Sequence, residues 1–401
     1  MLNRKSLFAL LLAVSLGVMS ALPALAQDDV VIGMVLVGPQ NDRGWSQAHF
    51  EGGEYITEQI EGAELLVFES LNPADAPETT LRDVVSEFVD QGASIIFTTS
   101  DDFKQETHEV AAEFPEIVFV HVSGDGALTG DAPENVSNLM GKMVWGKLID
   151  GCAAALTTET GQIGYLGPLI NEETRRLANS TYLGARYCYE NYRGLDPDEL
   201  EFSVTWIGFW FNIPGVTLDP TEESNTFFDS GVDVLISGID TTEAIVVAGQ
   251  RREAGEDIFA IPYDFESACD EAPEACLGTP YFNWGPSYTA EVQSVIDGTW
   301  EPGWEWLDPY WPDINDNSQT AIGFVFGEGL PEEVAGDLEA FVDEMATFAT
   351  EVAEEGEVFL WEGPLAYQDG TVIAEEGELL SEAEIWYTEQ LLEGMQGASS
   401  N

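Results

Sequence analysis

The sequence predicts an α/β protein built as two doubly wound parallel-sheet lobes joined by a multi-crossing hinge. Three observations predict it. Short apolar runs alternate with segments of helical period, the pattern of βα units feeding a parallel sheet. The alternation runs twice, over 30–122 and again over 162–261, and 401 residues is long for a single core. Successive strands also end in polar or aromatic loops, which an open α/β sheet collects along its carboxyl edge, where ligands bind.

The first unit sets the pattern. Val30–Val37 is a continuous apolar run, as expected of a strand covered on both faces. Gly38 and Pro39 end it, and the loop Gln40-Asn41-Asp42-Arg43-Gly44 leads into a helix from Trp45, with Ala48, Gly52, Ile56 and Ile60 on one face. Amide, carboxylate and guanidinium groups beside Trp45 suit a flat, polar small molecule. The plainer alternative is an ordinary βα turn with Trp45 in the core. Ala63–Glu69 is the second strand, and Ala76–Gln91 a helix turning Leu81, Val84, Val85 and Phe88 inward. Ala93–Thr99 runs into Ser100-Asp101-Asp102-Phe103 before the helix Lys104–Glu113. Ile117–Val122 runs into Ser123-Gly124-Asp125-Gly126, where Asp125 reads as a cap or turn group. One Asp or Ser at a strand end is a common helix cap; their recurrence along one edge carries the weight.

Met143–Leu156 reads as a helix leaving the first lobe. The second series is Gln162–Leu166, the helix Glu172–Tyr189, and a strand Glu201–Trp210 ending in the aromatic cluster Gly208-Phe209-Trp210-Phe211-Asn212. Val232–Ile236 then runs into Ser237-Gly238-Ile239-Asp240-Thr241-Thr242 before the helix Glu243–Ala254, and Ile258–Ile261 into Pro262-Tyr263-Asp264. Two such lobes with facing carboxyl edges enclose a cleft, a favoured place for a ligand. Phe282–Pro286 returns the chain to the first lobe for a helix over Ser287–Asp297. Pro331–Glu355 is an acidic helix, 358–376 a hairpin around Asp369-Gly370, and Ser381–Met395 the last helix. The expected boundaries are 28–145 plus 283–302 for the first lobe and 146–282 plus 318–395 for the second. An aromatic insertion is expected over 303–317, and a disordered tail over 396–401. No low-complexity linker interrupts the chain, which fits several crossings and not one tether.

Composition narrows the function. Residues 1–26 read as a secretory signal: Arg4 and Lys5, an apolar centre over Leu7–Val18, and Ala24-Leu25-Ala26 before the cleavage point. The residue after that point is Gln27 and not a cysteine, so a lipid anchor at a mature N-terminal Cys is not indicated, and no later stretch is apolar enough to cross a bilayer. The mature chain is expected to be secreted, in the periplasm or cell envelope, without membrane insertion. The formal charge of −61 becomes −63 once Arg4 and Lys5 are removed. Such a surface repels nucleic acid and anionic lipid and suits a salty exterior. Hydrophobic residues at 44% and eleven tryptophans argue for a packed chain and not a disordered one. Cys269 and Cys276 are the preferred disulfide pair, leaving Cys152 with Cys188; free thiols are the alternative, and zinc is disfavoured without a CxxC pair.

Catalytic signals are lacking. There is no GxSxG elbow and no GxGxxG or GxxxxGK[ST] phosphate loop, so hydrolase, NAD and ATP chemistry find no support. His49, His108 and His121 fall in separate elements: His49 one turn after Trp45, His108 on a solvated helix, His121 in a core strand. Adjacent acids such as Asp101-Asp102 are inevitable among 74 acidic residues. No enzyme activity, metal or cofactor is expected.

The segment NDRGWSQAHFEG resembles the DDxSFNQxxWEG signature of the basic membrane protein (PnrA-like) family, substrate-binding proteins of ABC importers. GASIIFTTS, EVAAEFPEIVFVH, NWGPSYTAEVQSVIDGTW and VFLWEGPLAYQDGTVIAEEGELLSEAEIWY extend the likeness over nearly all of the mature chain. The resemblance implies a type I periplasmic-binding fold: two lobes, three hinge crossings and a ligand in the cleft. It puts the base-stacking aromatic on Trp45, its paired acids on Asn41 and Asp42, and its Asn on Ser46. The opposing aromatic falls on Trp210 or Phe211, and a later acid on Asp264. Asn283 and Trp284 stand where nucleoside-binding members carry a lysine, and Ser46 replaces an amide, so a nucleobase or another small polar ring also fits. With Ser100, Asp101 and Asp240 added from the strand ends, the expected function is a monomeric receptor that hands a nucleoside or related heterocycle to ABC permease subunits. A sugar receptor of the same fold, or a sensory ligand-binding protein, is the alternative.

Overall fold

The computed structural model describes residues 30–353 and 356–400, so the signal segment 1–26 lies outside the described residues. The first lobe contains β1 (Val31–Val35), α1 (Trp45–Gln59), β2 (Glu64–Phe68), α2 (Leu81–Asp90), β3 (Ala93–Thr98), α3 (Lys104–Ala111), β4 (Val118–Val122), α4 (Gly126–Thr129) and β5 (Val136–Gly141). The second contains α5 (Val144–Thr157), β6 (Gln162–Gly167), α6 (Glu172–Asn191), β7 (Glu201–Trp206), α7 (Pro220–Ser230), β8 (Val234–Ser237), α8 (Glu243–Glu253) and β9 (Phe259–Ile261). The chain then returns through β10 (Gly278–Phe282), α9 (Gly285–Ile296), β11 (Trp304–Leu307) and β12 (Ile322–Phe326). It ends with α10 (Glu332–Thr347), β13 (Leu365–Ala366), β14 (Val372–Ala374), α11 (Glu382–Trp386) and β15 (Met395–Gln396).

Each lobe is organised around one parallel sheet. The first has the order β2-β1-β3-β4-β5-β11 and the second β15-β7-β6-β8-β9. Both are doubly wound, so each has a point where successive connections leave to opposite sides: between β1 and β3 in one, between β6 and β8 in the other. Loops part there and leave a crevice at the strand ends. The strands are apolar on both faces because helices cover both, and the interiors of β1, β3 and β8 are almost wholly buried. Three crossings join the lobes, at 141–144, 282–285 and 307–322, with β10 and β12 paired antiparallel between them.

Helix α5 starts the second lobe and is buried along Val144–Leu156. It crosses α6 so closely that a Cβ on Gly151 would lie 1.8 Å from the Thr181 carbonyl oxygen. Cys152–Cys188 ties these two helices and Cys269–Cys276 closes a short loop. In a chain-entropy model these loop lengths correspond to roughly 4 and 2 kcal/mol.

The structure departs from the sequence expectations mainly after residue 300. Segment 303–317 is not simply an insertion, because Trp304–Leu307 is the edge strand of the first sheet, in register with Asn138–Gly141. The strand expected over Glu201–Trp210 stops at Trp206, where Gly208 turns the chain at φ 104°. The helix expected over Ser381–Met395 is a single turn over Glu382–Trp386. Beyond it the backbone is irregular and is held out of a helix by side chains of α6: Arg175 Nε donates to the Thr388 carbonyl, Asn179 Nδ2 to that of Gln390, and Leu392 N donates to Asn179 Oδ1. The tail expected to be disordered is tied down as well. Met395 and Gln396 pair with β7, Trp206 Nε1 donates to the Ala398 carbonyl, and Arg175 Nη1 donates to that of Ser399. Backbone groups that gain protein partners in this way have no reason to fray.

Candidate ligand-binding cleft

The two crevices face each other and, with the lobes shut, enclose one narrow cavity of about 20 Å³. Trp45, Ser100, Asp101 and Ser123 line it from the first lobe, all at or just beyond the carboxyl ends of β1, β3 and β4. From the second lobe come Trp210, Gly238, Asp240 and Tyr263 at strand ends, Tyr165 within β6, and Glu173, Thr174 and Leu177 from the first turns of α6.

The loop after β1, on the first-lobe wall, is internally satisfied. Asp42 accepts from the backbone N–H groups of Gly44, Ser46 and Gln47, anchoring the start of α1. Burial nonetheless pushes its carboxyl up to about 6, against the lowering effect of those bonds. Gly38 N donates to Ser46 Oγ, and Trp45 Nε1 donates to the Thr99 carbonyl at 2.6 Å. Behind Trp45 stands a column of rings. Phe282 stacks on Trp284 at 4.8 Å, Trp284 on His49 at 4.4 Å, and His49 Nδ1 is hydrogen-bonded with the Tyr288 hydroxyl at 2.6 Å. Full burial drives the His49 pKa well down, so its ring is neutral. Trp45 meets this column edge-on, 4.4 Å from His49 and 5.6 Å from Trp284, and is 7% exposed. It is therefore both core and cavity wall.

The second-lobe wall is not satisfied. Trp210 Nε1 is buried without an acceptor. Both carboxylate oxygens of Asp264 are buried without a hydrogen-bond partner, on a non-glycine residue at φ 73°. Burial raises Asp264 well above the usual carboxylate range; Lys147 works against this, and Tyr263 does so without meeting hydrogen-bond geometry. Asp240 is raised well above that range too, first by burial and then by the facing Asp264, Asp42 and Glu173. Burial also raises Asp101 and Glu173, opposed in both by Arg176.

The lobes are closed on each other. Arg43 Nε lies 3.0 Å from Glu271 Oε1, Asn171 Nδ2 donates to Asp101 Oδ2, Ser123 Oγ to Glu173 Oε2, and the Tyr387 hydroxyl to Asp125 Oδ2. At Gly44 a Cβ would lie 1.7 Å from the Asp240 carbonyl oxygen, so only glycine lets the loop after β1 meet the loop after β8. Entry of a ring-sized guest requires the lobes to part.

Of the twelve residues singled out from the sequence, Trp45, Ser100, Asp101, Trp210 and Asp240 border the cavity together. The others do not. Asn41 is exposed on the loop; Asp42 and Ser46 are occupied in holding it. Phe211 packs edge-on against Phe209 at 5.1 Å. Asn283 Nδ2 donates to the carbonyls of Asn317 and Thr320 at a crossing, and Trp284 is inside the ring column. Asp264 is fully buried and is not among the lining residues, although its charge acts on Asp240. Sequence reasoning passed Ser123, Gly238 and Tyr263 as strand-end residues without assigning them to the site, and missed Tyr165, Glu173, Thr174 and Leu177. Glu173 was visible as an acid in the first turn of a helix that follows a strand end; Tyr165, in mid-strand, carried no signal.

Two parallel-sheet lobes, three crossings and a polar, aromatic-walled cleft between the switch points define a bilobal solute-binding protein. The model of the ABC transporter substrate-binding protein PnrA-like family, Bmp, matches residues 29–307. The chain belongs to that family, one of substrate-binding proteins and not of enzymes. It is 26% identical over 382 residues to a purine-binding protein of Brucella abortus, covering 92% of this chain and 93% of that one. It is 25% identical over 342 residues to a Haloferax volcanii protein named for glucose binding in an ABC transporter, covering 81% and 80%. A solute-binding protein of an ABC transporter system from Aeropyrum pernix superposes with a TM-score of 0.61 at 15% identity, over 80% of this chain and 91% of that one, and supports the fold alone.

Proposed function

We propose that this protein is an exported, monomeric receptor that captures a purine nucleoside or related heterocycle between its lobes and presents it to ABC permease subunits. Trp45 and Trp210 stack on the ring, and Asp101 and Asp240 accept hydrogen bonds from ring N–H or sugar hydroxyl groups. The observation that carries this reading is that Trp45 and Trp210, from opposite lobes, border one cavity with two buried carboxylates. The relative named for purine binding, matched over nearly its whole length, supports it further. Buried acceptors left without donors cost about 1–3 kcal/mol each, so a hydroxylated or amino-bearing guest gains over an apolar one. Ligand binds the closed form better and so shifts the lobes towards closure.

The relative named for glucose binding favours a second reading, a pyranose receptor using the same rings and acids. A thermal-shift panel of nucleosides, nucleobases and sugars separates the two. A ligand at a hundredfold its dissociation constant stabilises by about 2.7 kcal/mol, which the panel resolves. Stabilisation by sugars alone rejects the heterocycle. Mass measurement of the secreted chain tests cleavage after Ala26.

A further inference from the structure

Buried acidic side chains outnumber buried basic ones around the cleft. Asp101, Glu173 and Asp240 line it, with Asp240 5% exposed. Asp264, 0% exposed, acts on Asp240 with neither oxygen partnered. Two cationic side chains are buried nearby, and both are engaged. Lys147 Nζ lies 2.9 Å from Asp150 Oδ2, donates to the Ser237 carbonyl, and sits 3.7 Å over the Tyr263 ring. Arg176 Nη2 faces Glu173 Oε2 at 3.8 Å, and its guanidinium packs 4.0 Å over Trp386. Lys104, at the mouth, is paired with Asp125. Among the described residues Asp240 thus faces no cation, and Asp264 faces only Lys147, which Asp150 already engages, in surroundings where an uncompensated carboxylate is costly. The opposite walls are tryptophans, whose faces attract cations best among the aromatic side chains. Trp210 also carries its buried, unpartnered Nε1 at the same cavity.

Resting on the heterocycle reading above, we propose that the Asp240–Asp264 side of the cleft selects a flat guest bearing a positive charge, a quaternary or protonated nitrogen heterocycle, over its neutral isostere. Anionic relatives such as nucleotides are refused. The guest's charge does what no side chain does here: it compensates the two acids on closure while its ring lies between Trp45 and Trp210. Asp42, Glu173 and Lys147 are the other charged groups that face the pair, and their sum is negative. A formal charge of −61 draws cationic solutes to the mouth as well.

Calorimetry on the mature chain slightly below neutral pH, where both methylated nucleosides are mainly cationic, tests this with two pairs that differ by one methyl group and its charge, adenosine with 1-methyladenosine and guanosine with 7-methylguanosine, together with AMP and glucose. The expected result is about tenfold tighter binding of the cationic member of at least one pair, and none of AMP. Asp240→Asn and Asp264→Asn should each erase that preference, while an unfolding midpoint no lower than that of the unsubstituted chain shows that the fold survives; asparagine tolerates the positive φ at 264. Equal or tighter binding of the neutral member in both pairs overturns the charge selection and leaves the heterocycle receptor standing. A preference that persists in both Asn variants also overturns it. Binding of glucose alone rejects the heterocycle reading and this inference with it.

Discussion

The two walls of the cleft are made from the same parts and finished differently. In the first lobe the loop after β1 uses its polar groups internally: Asp42 takes three backbone donors, Ser46 takes Gly38, and Trp45 gives its N–H to Thr99. Asp101 and Ser123 bond across to the second lobe, and His49 Nε2 and Trp284 Nε1 stay unpartnered among the described residues. In the second lobe Trp210 Nε1 and both oxygens of Asp264 have no partner, and Asp240 is buried among like charges. One wall is a preformed surface and the other holds unfilled hydrogen-bonding capacity. Shape and specificity can therefore be divided between the lobes. A ring docks against a rigid face, and its substituents are chosen by the other side as the lobes close.

Truncation of the two tryptophans is the strongest way to break this contrast. Trp45→Ala empties a core position against His49, Phe282 and Trp284, so it should cost about 3–5 kcal/mol in urea unfolding. Trp210→Ala should act mainly on binding, weakening it by about ten- to a hundredfold. Equal stability losses in the two variants would remove the division of labour. Gly44→Ala addresses closure itself. Its methyl group would overlap the Asp240 carbonyl, so affinity should fall by roughly a hundredfold, about 2.7 kcal/mol, with unfolding unchanged. Small-angle scattering should show no compaction on adding ligand; normal compaction would mean that the loops slide past each other.

Asp42 sharpens the comparison on the first-lobe side. Asp42→Ala leaves the N–H groups of Gly44, Ser46 and Gln47 without their acceptor and should destabilise by about 1–2 kcal/mol. Asp42→Asn should recover part of that. A direct ligand role would instead weaken binding in both variants with no loss of stability.

The residues that order the sheets were readable because alternating apolar runs and helices permit few topologies. The rim aromatics and acids were readable because open sheets put ligands at strand ends. Whether an acid serves a ligand or a helix was not readable: Asp42 and Asp240 each precede a helix, and only the donors around Asp42 and their absence around Asp264 separate the roles. Strand β5 was missed because Ser137 and Asn138 make it look like a loop, although the polar atoms of Asn138 are bonded to the chain around it. β10 carries Pro280, which discourages a strand reading. The irregular C-terminal segment was misread as a helix because its shape comes from α6, through Arg175 and Asn179, and such partners leave no mark on local periodicity.

The smallest effect separates the walls by pH. Asp42, raised by burial to about 6, and Asp240 and Asp264, both raised well above the usual carboxylate range by burial, are easier to protonate folded than unfolded. Their contribution to stability is fully present below the unfolded carboxylate value and is lost as pH rises through the folded one. The unfolding free energy of the ligand-free chain should therefore fall as pH climbs from about 4 past 6. General repulsion among the surface acids has the same sign, but salt screens it, while buried charges are screened far less. In high salt the remaining slope should belong to the cleft, and Asp240→Asn or Asp264→Asn should flatten it and add about 1 kcal/mol or more of stability above neutrality. If the slope disappears in salt, or survives both substitutions, the acids of the second lobe are hydrated in the free protein, and the unsatisfied wall exists only once the lobes have shut.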